Sequence, residues 1–140
     1  MANNIQELSQ RFELICERIL IANQYRVVLR QQRGAVDFVV REPKTEREVA
    51  VEVKLYRSLR VDRSVLQNAA VRVAQFKEAR GTKALLIGTT LFNKDEVEFL
   101  QGLGIDDVWG LLELGQKASK DALLASQLRQ LLRDQQLLFL

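Results

Sequence analysis

An α/β fold with a mixed central sheet flanked by helices is predicted by three features of this 140-residue chain. Short β-branched runs, among them YRVVLR (25–30) and EVAVEVKLY (48–56), lie between longer segments whose apolar residues recur at helical spacing. The length is that of one domain and suffices to bury a core. No linker or repeat divides residues 1–140, so the expectation is a single domain with element order αβββαβαβα.

Taken in order, residues 4–22 read as an amphipathic helix, with Ile5, Leu8, Phe12, Ile15 and Ile19 on one face. YRVVLR, GAVDFVV (34–40) and EVAVEVKLY read as strands, the last two separated by REPKTER, which holds the chain's single proline. Val61 to Arg80 reads as a helix with Asp62 at its N-cap and Gly81 as its stop. KALLIGTT (83–90) is a buried strand. NKDEVEFLQGLG (93–104) opens with Asn93 and places Glu96 three residues on, a capping pattern for a short helix. IDDVWGLLEL (105–114) contains a last strand, and Ser119 to Leu138 reads as a leucine-rich terminal helix. Its stripe of Leu124, Leu128, Leu131 and Leu132 suits packing on the chain's own sheet or self-association as a homodimer.

Composition excludes several chemistries. There is no histidine, so Ser-His-Asp and Cys-His catalysis and imidazole zinc sites are out. The one cysteine, Cys16, excludes thiolate zinc clusters and an internal disulfide, and reads as a reduced cytosolic thiol. No apolar run approaches the roughly 18–20 residues of a membrane helix, and the N-terminus lacks the pattern of a signal peptide. The expected location is therefore cytoplasmic, without membrane contact. Catalysis, if present, falls to carboxylates, lysine and a hard oxygen-bound metal. The net charge is +3, while residues 57–80 carry Arg57, Arg60, Arg63, Arg72, Lys77 and Arg80 against Asp62 and Glu78. A basic stretch of this kind suits a phosphate-bearing partner such as nucleic acid; a solvated helix face is the alternative.

The central hairpin carries the chemistry. With Lys44 and Thr45 as the middle of the turn, Val40 faces Val49, Phe38 faces Val51 and Val36 faces Val53, making one apolar face. The other face pairs Arg41 with Glu48, Val39 with Ala50, Asp37 with Glu52 and Ala35 with Lys54. Opposed Asp37 and Glu52 repel unless a cation lies between them. Mg2+ is commonly held by one or two carboxylates with waters and substrate phosphate. Lys54, two residues from Glu52, shares its face. Two acids and an ammonium placed together suit hydrolysis of a phosphodiester. A strand facing water and alternating apolar with charged residues is the bland alternative.

On these residues the chain resembles the PD-(D/E)xK nuclease superfamily, and within it the Mrr-type restriction endonuclease catalytic domains. The resemblance covers roughly residues 9–100 by eye. Its parts are a helix with Phe-Glu (RFELICERIL), a Gly-x-x-Asp strand (GAVDFVV), an E-x-K strand (AVEVKLY) and a later helix and strand (ARGTKALLIGTTLFNKDEVEFL). It implies a restriction-endonuclease-like αβββαβ core, plus a C-terminal helix, and a Mg2+-dependent endonuclease acting on DNA, with Mn2+ as a substitute. It further implies Asp37 and Glu52 as metal ligands, the Val53 carbonyl completing the shell, and Lys54 orienting or activating the attacking water. Glu13 becomes the outer acidic residue, with Glu17 pointing further toward solvent. Gln67 is a weaker candidate, and Arg57, Arg60 and Arg63 are placed to track the nucleic-acid backbone. Two departures are Val36 where the superfamily's proline would stand and the lack of an attached DNA-binding domain. The latter leaves open a dimer, a separate recognition partner or a nonspecific enzyme. A nuclease fold without catalysis, serving nucleic-acid binding or protein assembly, is the competing expectation.

Overall fold

The computed structural model describes residues 4–30 and 36–138. In chain order the elements are α1 (Ile5–Ala22), β1 (Arg26–Arg30), β2 (Phe38–Arg41), β3 (Glu48–Lys54), α2 (Arg63–Arg80), β4 (Lys83–Gly88), α3 (Lys94–Gly102), β5 (Asp107–Trp109), α4 (Leu111–Ala118) and α5 (Ala122–Leu138). The strands form one sheet in sequence order, β1-β2-β3-β4-β5. The first three run antiparallel, while β4 and β5 join β3 in parallel, so the sheet is mixed as expected. Each parallel neighbour is reached through a helix, the crossover such pairs require.

Helices cover both faces. On one face Leu8, Phe12 and Ile19 of α1, with Leu114 of α4 and Leu124, Leu128 and Leu131 of α5, bury Phe38, Val40, Val49, Val51, Leu85 and Ile87. On the other, Leu66, Ala69, Ala70 and Val73 of α2, with Leu100 of α3, cover Val39, Ala50, Ala84 and Leu86. The strand β3 is central in the sheet and is therefore buried on both sides. The leucine stripe of the terminal helix packs on its own sheet, with Leu132 partly buried beside it. Ile5, expected on the apolar face of α1, is instead 47% exposed at the helix start.

Caps explain most helix boundaries. Asn4 accepts from the Glu7 N–H, and Asn93 and Glu96 bond reciprocally as a capping box. Gly81 ends α2 in the left-handed region at φ 70°, where a side chain would be strained. Asp62 occupies the N-cap position of α2, yet its side chain makes no capping bond. One expectation is corrected: the stretch 105–138 holds a three-residue strand and two helices, not a strand and one helix. The Glu113 carboxylate accepts the Gly110 N–H at 2.7 Å and starts α4 directly after β5.

Over Phe38–Arg41 the hairpin register is as expected, although the turn is not; the expected pairing of Asp37 directly opposite Glu52 is not formed, because the ladder ends at Phe38–Val51 and the Asp37 N–H bonds to the Val51 carbonyl. Val40 faces Val49, Val39 faces Ala50, Phe38 faces Val51 and Arg41 faces Glu48. The loop spans Pro43 to Glu46, with Lys44 and Glu46 at positive φ and the Glu46 N–H bonded to the Glu42 carbonyl. Compared with a two-residue turn it is longer by one residue on each side, so the pairing is unchanged: the Glu42 N–H still meets the Arg47 carbonyl.

Candidate active site

At the far end of the hairpin the regular ladder stops. Phe38 faces Val51, and the Asp37 N–H also bonds to the Val51 carbonyl at 3.0 Å. Two residues thus oppose one, which is a β-bulge, a device that re-aims a side chain. The bulge has two consequences. Val36 packs with Val39 and Ala50 on the α2 face, correcting the expectation that it continues the Phe38–Val40 face. Asp37 is turned so that its carboxylate lies within reach of both Glu52 on β3 and Glu13 on α1. Its Oδ2 accepts the Val53 N–H at 2.7 Å, a bond that clamps the carboxylate to the central strand. The expected Ala35–Lys54 pair lies outside the described residues.

Glu52 is the least exposed carboxylate of this group, at 2%. Burial is the largest cause of its raised pKa, followed by the charge and hydrogen bond of Asp37; Lys54 and Arg72 oppose the rise. The result is a carboxyl pushed up to about 8. The Arg72 guanidinium on α2 stands 3.2 Å from Glu52 Oε2, and Lys54 Nζ stands 3.8 Å from the same oxygen. Glu13 is half-buried, and its pKa is raised by burial first and then by Asp37 and Glu17. Glu17, expected nearer solvent, is the more buried of the two because it turns inward to an ion pair with Arg30. Cys16, close by, is fully buried; burial and then the Asp37 and Glu13 charges push its thiol well up, so it offers no thiolate nucleophile.

Glu13 and Glu52 each interact with Asp37. No three Asp, Glu or Cys side chains among the described residues converge into a ready cation cage. A carboxylate pair fits a hard cation that keeps several waters and takes substrate oxygens as its remaining ligands. Repulsion between Asp37 and the buried Glu52 is the feature that such a cation would relieve.

The other expected residues lie nearby but not in this cluster. Gln67 is exposed on α2, and no hydrogen bond ties it to the acids among the described residues. Arg60 stands 3.8 Å from Glu96 Oε1, and Arg63 lies over the Phe99 ring at 4.9 Å, so both lean on α3. Arg57 is exposed in the segment after β3. Two residues that spacing did not single out belong to the site. Arg72 reaches Glu52 across the α2–β3 packing. Tyr56, buried at 7% exposure, has a hydroxyl without a hydrogen-bond partner among the described residues, and its pKa is raised by burial and then by the Glu52 charge. Its ring lies so close to Gly88 that a Cβ there would approach it to 2.6 Å. The alternation Glu52, Lys54, Tyr56 is the sequence signal that points to it.

The expected core is therefore present as α1, β1 to β3, α2 and β4, with the acids on the hairpin and the lysine beside them. No curated protein and no solved structure matches the chain. Residues 6–106 match the Mrr catalytic-domain family, described as restriction endonuclease. The chain belongs to that restriction endonuclease family, whose function is of nuclease type.

Proposed function

We propose that the chain, with residues 1–140 acting as one domain in the cytoplasm, is a metal-dependent endonuclease that hydrolyses phosphodiester bonds in DNA. The observation that carries this reading is the junction of Asp37 with the buried Glu52 at the hairpin bulge, beside the Lys54 ammonium. Asp37, Glu52 and the Val53 carbonyl would hold the cation, with Mg2+ as cofactor and Mn2+ as a substitute. When bound, such a cation supplies Lewis-acid polarisation of a phosphoryl oxygen and lowers the pKa of water.

The chain's own residues supply the rest. The Val53 N–H fixes Asp37, and the central position of β3 fixes Glu52, so both carboxylates are oriented before substrate arrives. Lys54, a third exposed, can face a phosphate while staying close to Glu52; there it stabilises charge on the phosphoryl oxygens and orients the attacking water. Glu13, whose pKa is raised by burial and then by Asp37, stands beside Asp37 as the outer acid that would reach the cation through water. Arg57 and Arg60, between β3 and α2, and Arg63, which opens α2, serve the nucleic-acid backbone rather than the bases.

The test is cleavage of plasmid and single-stranded DNA with Mg2+, Mn2+ or EDTA, alongside a folded Asp37→Ala variant. Metal-dependent cutting by the wild type alone is expected. Binding without turnover in either metal would favour the second reading, a nuclease fold used for nucleic-acid binding or assembly.

A further inference from the structure

Arg72 differs from Arg60, Arg63, Lys77 and Arg80 in the partner it holds. Arg60 leans on Glu96, Lys77 on Asp106, and Arg63 and Arg80 on the rings of Phe99 and Phe76. None of those partners belongs to the carboxylate pair. Arg72 is bonded to Glu52 itself, at 3.2 Å, on the same oxygen that Lys54 approaches. A carboxylate buried in the central strand needs a counter-charge. A guanidinium at that distance and a divalent cation on the same carboxylate repel each other, so the binding of either weakens the hold of the other. The Arg72 side chain is 49% exposed, which leaves it room to turn outward without unpacking α2. Its planar fork matches the oxygens of a phosphate.

We propose that Arg72 is a displaceable counter-ion, which occupies Glu52 until a divalent cation takes that carboxylate and then grips a backbone phosphate of the bound nucleic acid. The proposal rests on the nuclease reading and adds to it a coupling: cation and nucleic acid each strengthen the binding of the other through one side chain. Arg72 is thus a positioning and binding residue with opposite effects on the two ligands.

The test uses the full chain and Arg72→Gln, with Arg72→Lys as the conservative variant. Cation affinity is measured by titration with Mg2+ or Ca2+ without DNA. Duplex affinity is measured against salt, in Ca2+ and in EDTA. Arg72→Gln is expected to bind the cation about threefold to tenfold more tightly, because a competing positive charge is gone. In Ca2+ it is expected to bind duplex more weakly, with the salt slope reduced by about one, and in EDTA the slope is unchanged. Arg72→Lys restores the slope. Weaker binding of both ligands by Arg72→Gln, or an equal loss of duplex affinity in Ca2+ and in EDTA, overturns the proposal and leaves Arg72 a structural partner of Glu52. A wild type that binds the cation but no duplex in Ca2+ overturns the nuclease reading and with it the phosphate half of the proposal; the cation titration shows this apart from any failure of Arg72 to compete.

Discussion

The two ends of one hairpin obey opposite rules. Near the turn, Arg41 faces Glu48 with opposite charges 3.3 Å apart, both about two-fifths exposed. At the other end the ladder stops short of Asp37, and this partly exposed carboxylate meets a Glu52 carboxyl that water barely reaches. The first arrangement is ordinary surface stabilisation, worth little because solvent screens it. The second costs stability in the absence of a cation, since burial and like charge both disfavour the ionised pair. The contrast teaches that the hairpin's strands are held by their apolar pairs, while at their far end burial and a neighbouring carboxylate both disfavour the ionised form of Glu52.

The sharpest way to break this contrast is to remove a charge at each end in turn. Lys54→Ala is expected to lower metal-dependent cleavage roughly hundredfold or more while circular dichroism shows a folded protein. A variant that cuts as fast as the wild type would remove Lys54 from the chemistry.

The next effect is on stability against pH. Glu52 titrates near 8 in the folded protein, above the carboxylate range of an unfolded chain, about 4.3. The folded state therefore binds the extra proton between these values, and the stability this contributes is full below about 4 and is lost as pH rises toward 8. The cation-free protein is expected to melt at a lower temperature at pH 8 than at pH 5.5, with Mg2+ at pH 8 recovering the difference. Glu52→Gln should flatten the cation-free profile and abolish the recovery. A wild-type melting temperature that rises with pH in EDTA would contradict the like-charge account.

Tyr56→Phe comes next. It removes a buried hydroxyl with no partner among the described residues and is expected to raise stability by about 1 kcal/mol in chemical denaturation. A loss of cleavage in the same variant would show that the hydroxyl finds its partner in the bound substrate. The smallest effect belongs to the turn end: Arg41→Ala should change stability by no more than about 0.5 kcal/mol and leave cleavage untouched.

Much of the hairpin is legible in the amino-acid sequence. The apolar pairs Val40–Val49 and Phe38–Val51 set the register, because a slip by one residue would put them on the wrong face. The pairing tolerates a longer turn, since the extra loop residues are added evenly on both sides. The caps at Asn93 and Gly81 and the E-x-K strand are equally readable, as is the family they point to; the strand expected over 34–40 is observed from Phe38 to Arg41, with Gly34 and Ala35 outside the described residues. Less readable is the sharp start of α4, because Gly110 and Glu113 resemble loop residues until the bond between them is seen.

What the sequence by itself determined is the inventory: which residues lie on which face of each regular element, and which chemistry they could perform. Periodicity encodes this because side-chain direction follows the local backbone. What only the tertiary structure decided is where that regularity ends and which elements meet there. The bulge at Asp37 turns Val36 to one face and the carboxylate toward α1, reversing a strict alternation. The packing of α2 on β3 brings Arg72 to Glu52 from twenty residues away. The turn of Glu17 toward Arg30 likewise depends on where β1 lies. These outcomes follow from the fit of one element against another, and no spacing within a single element contains it.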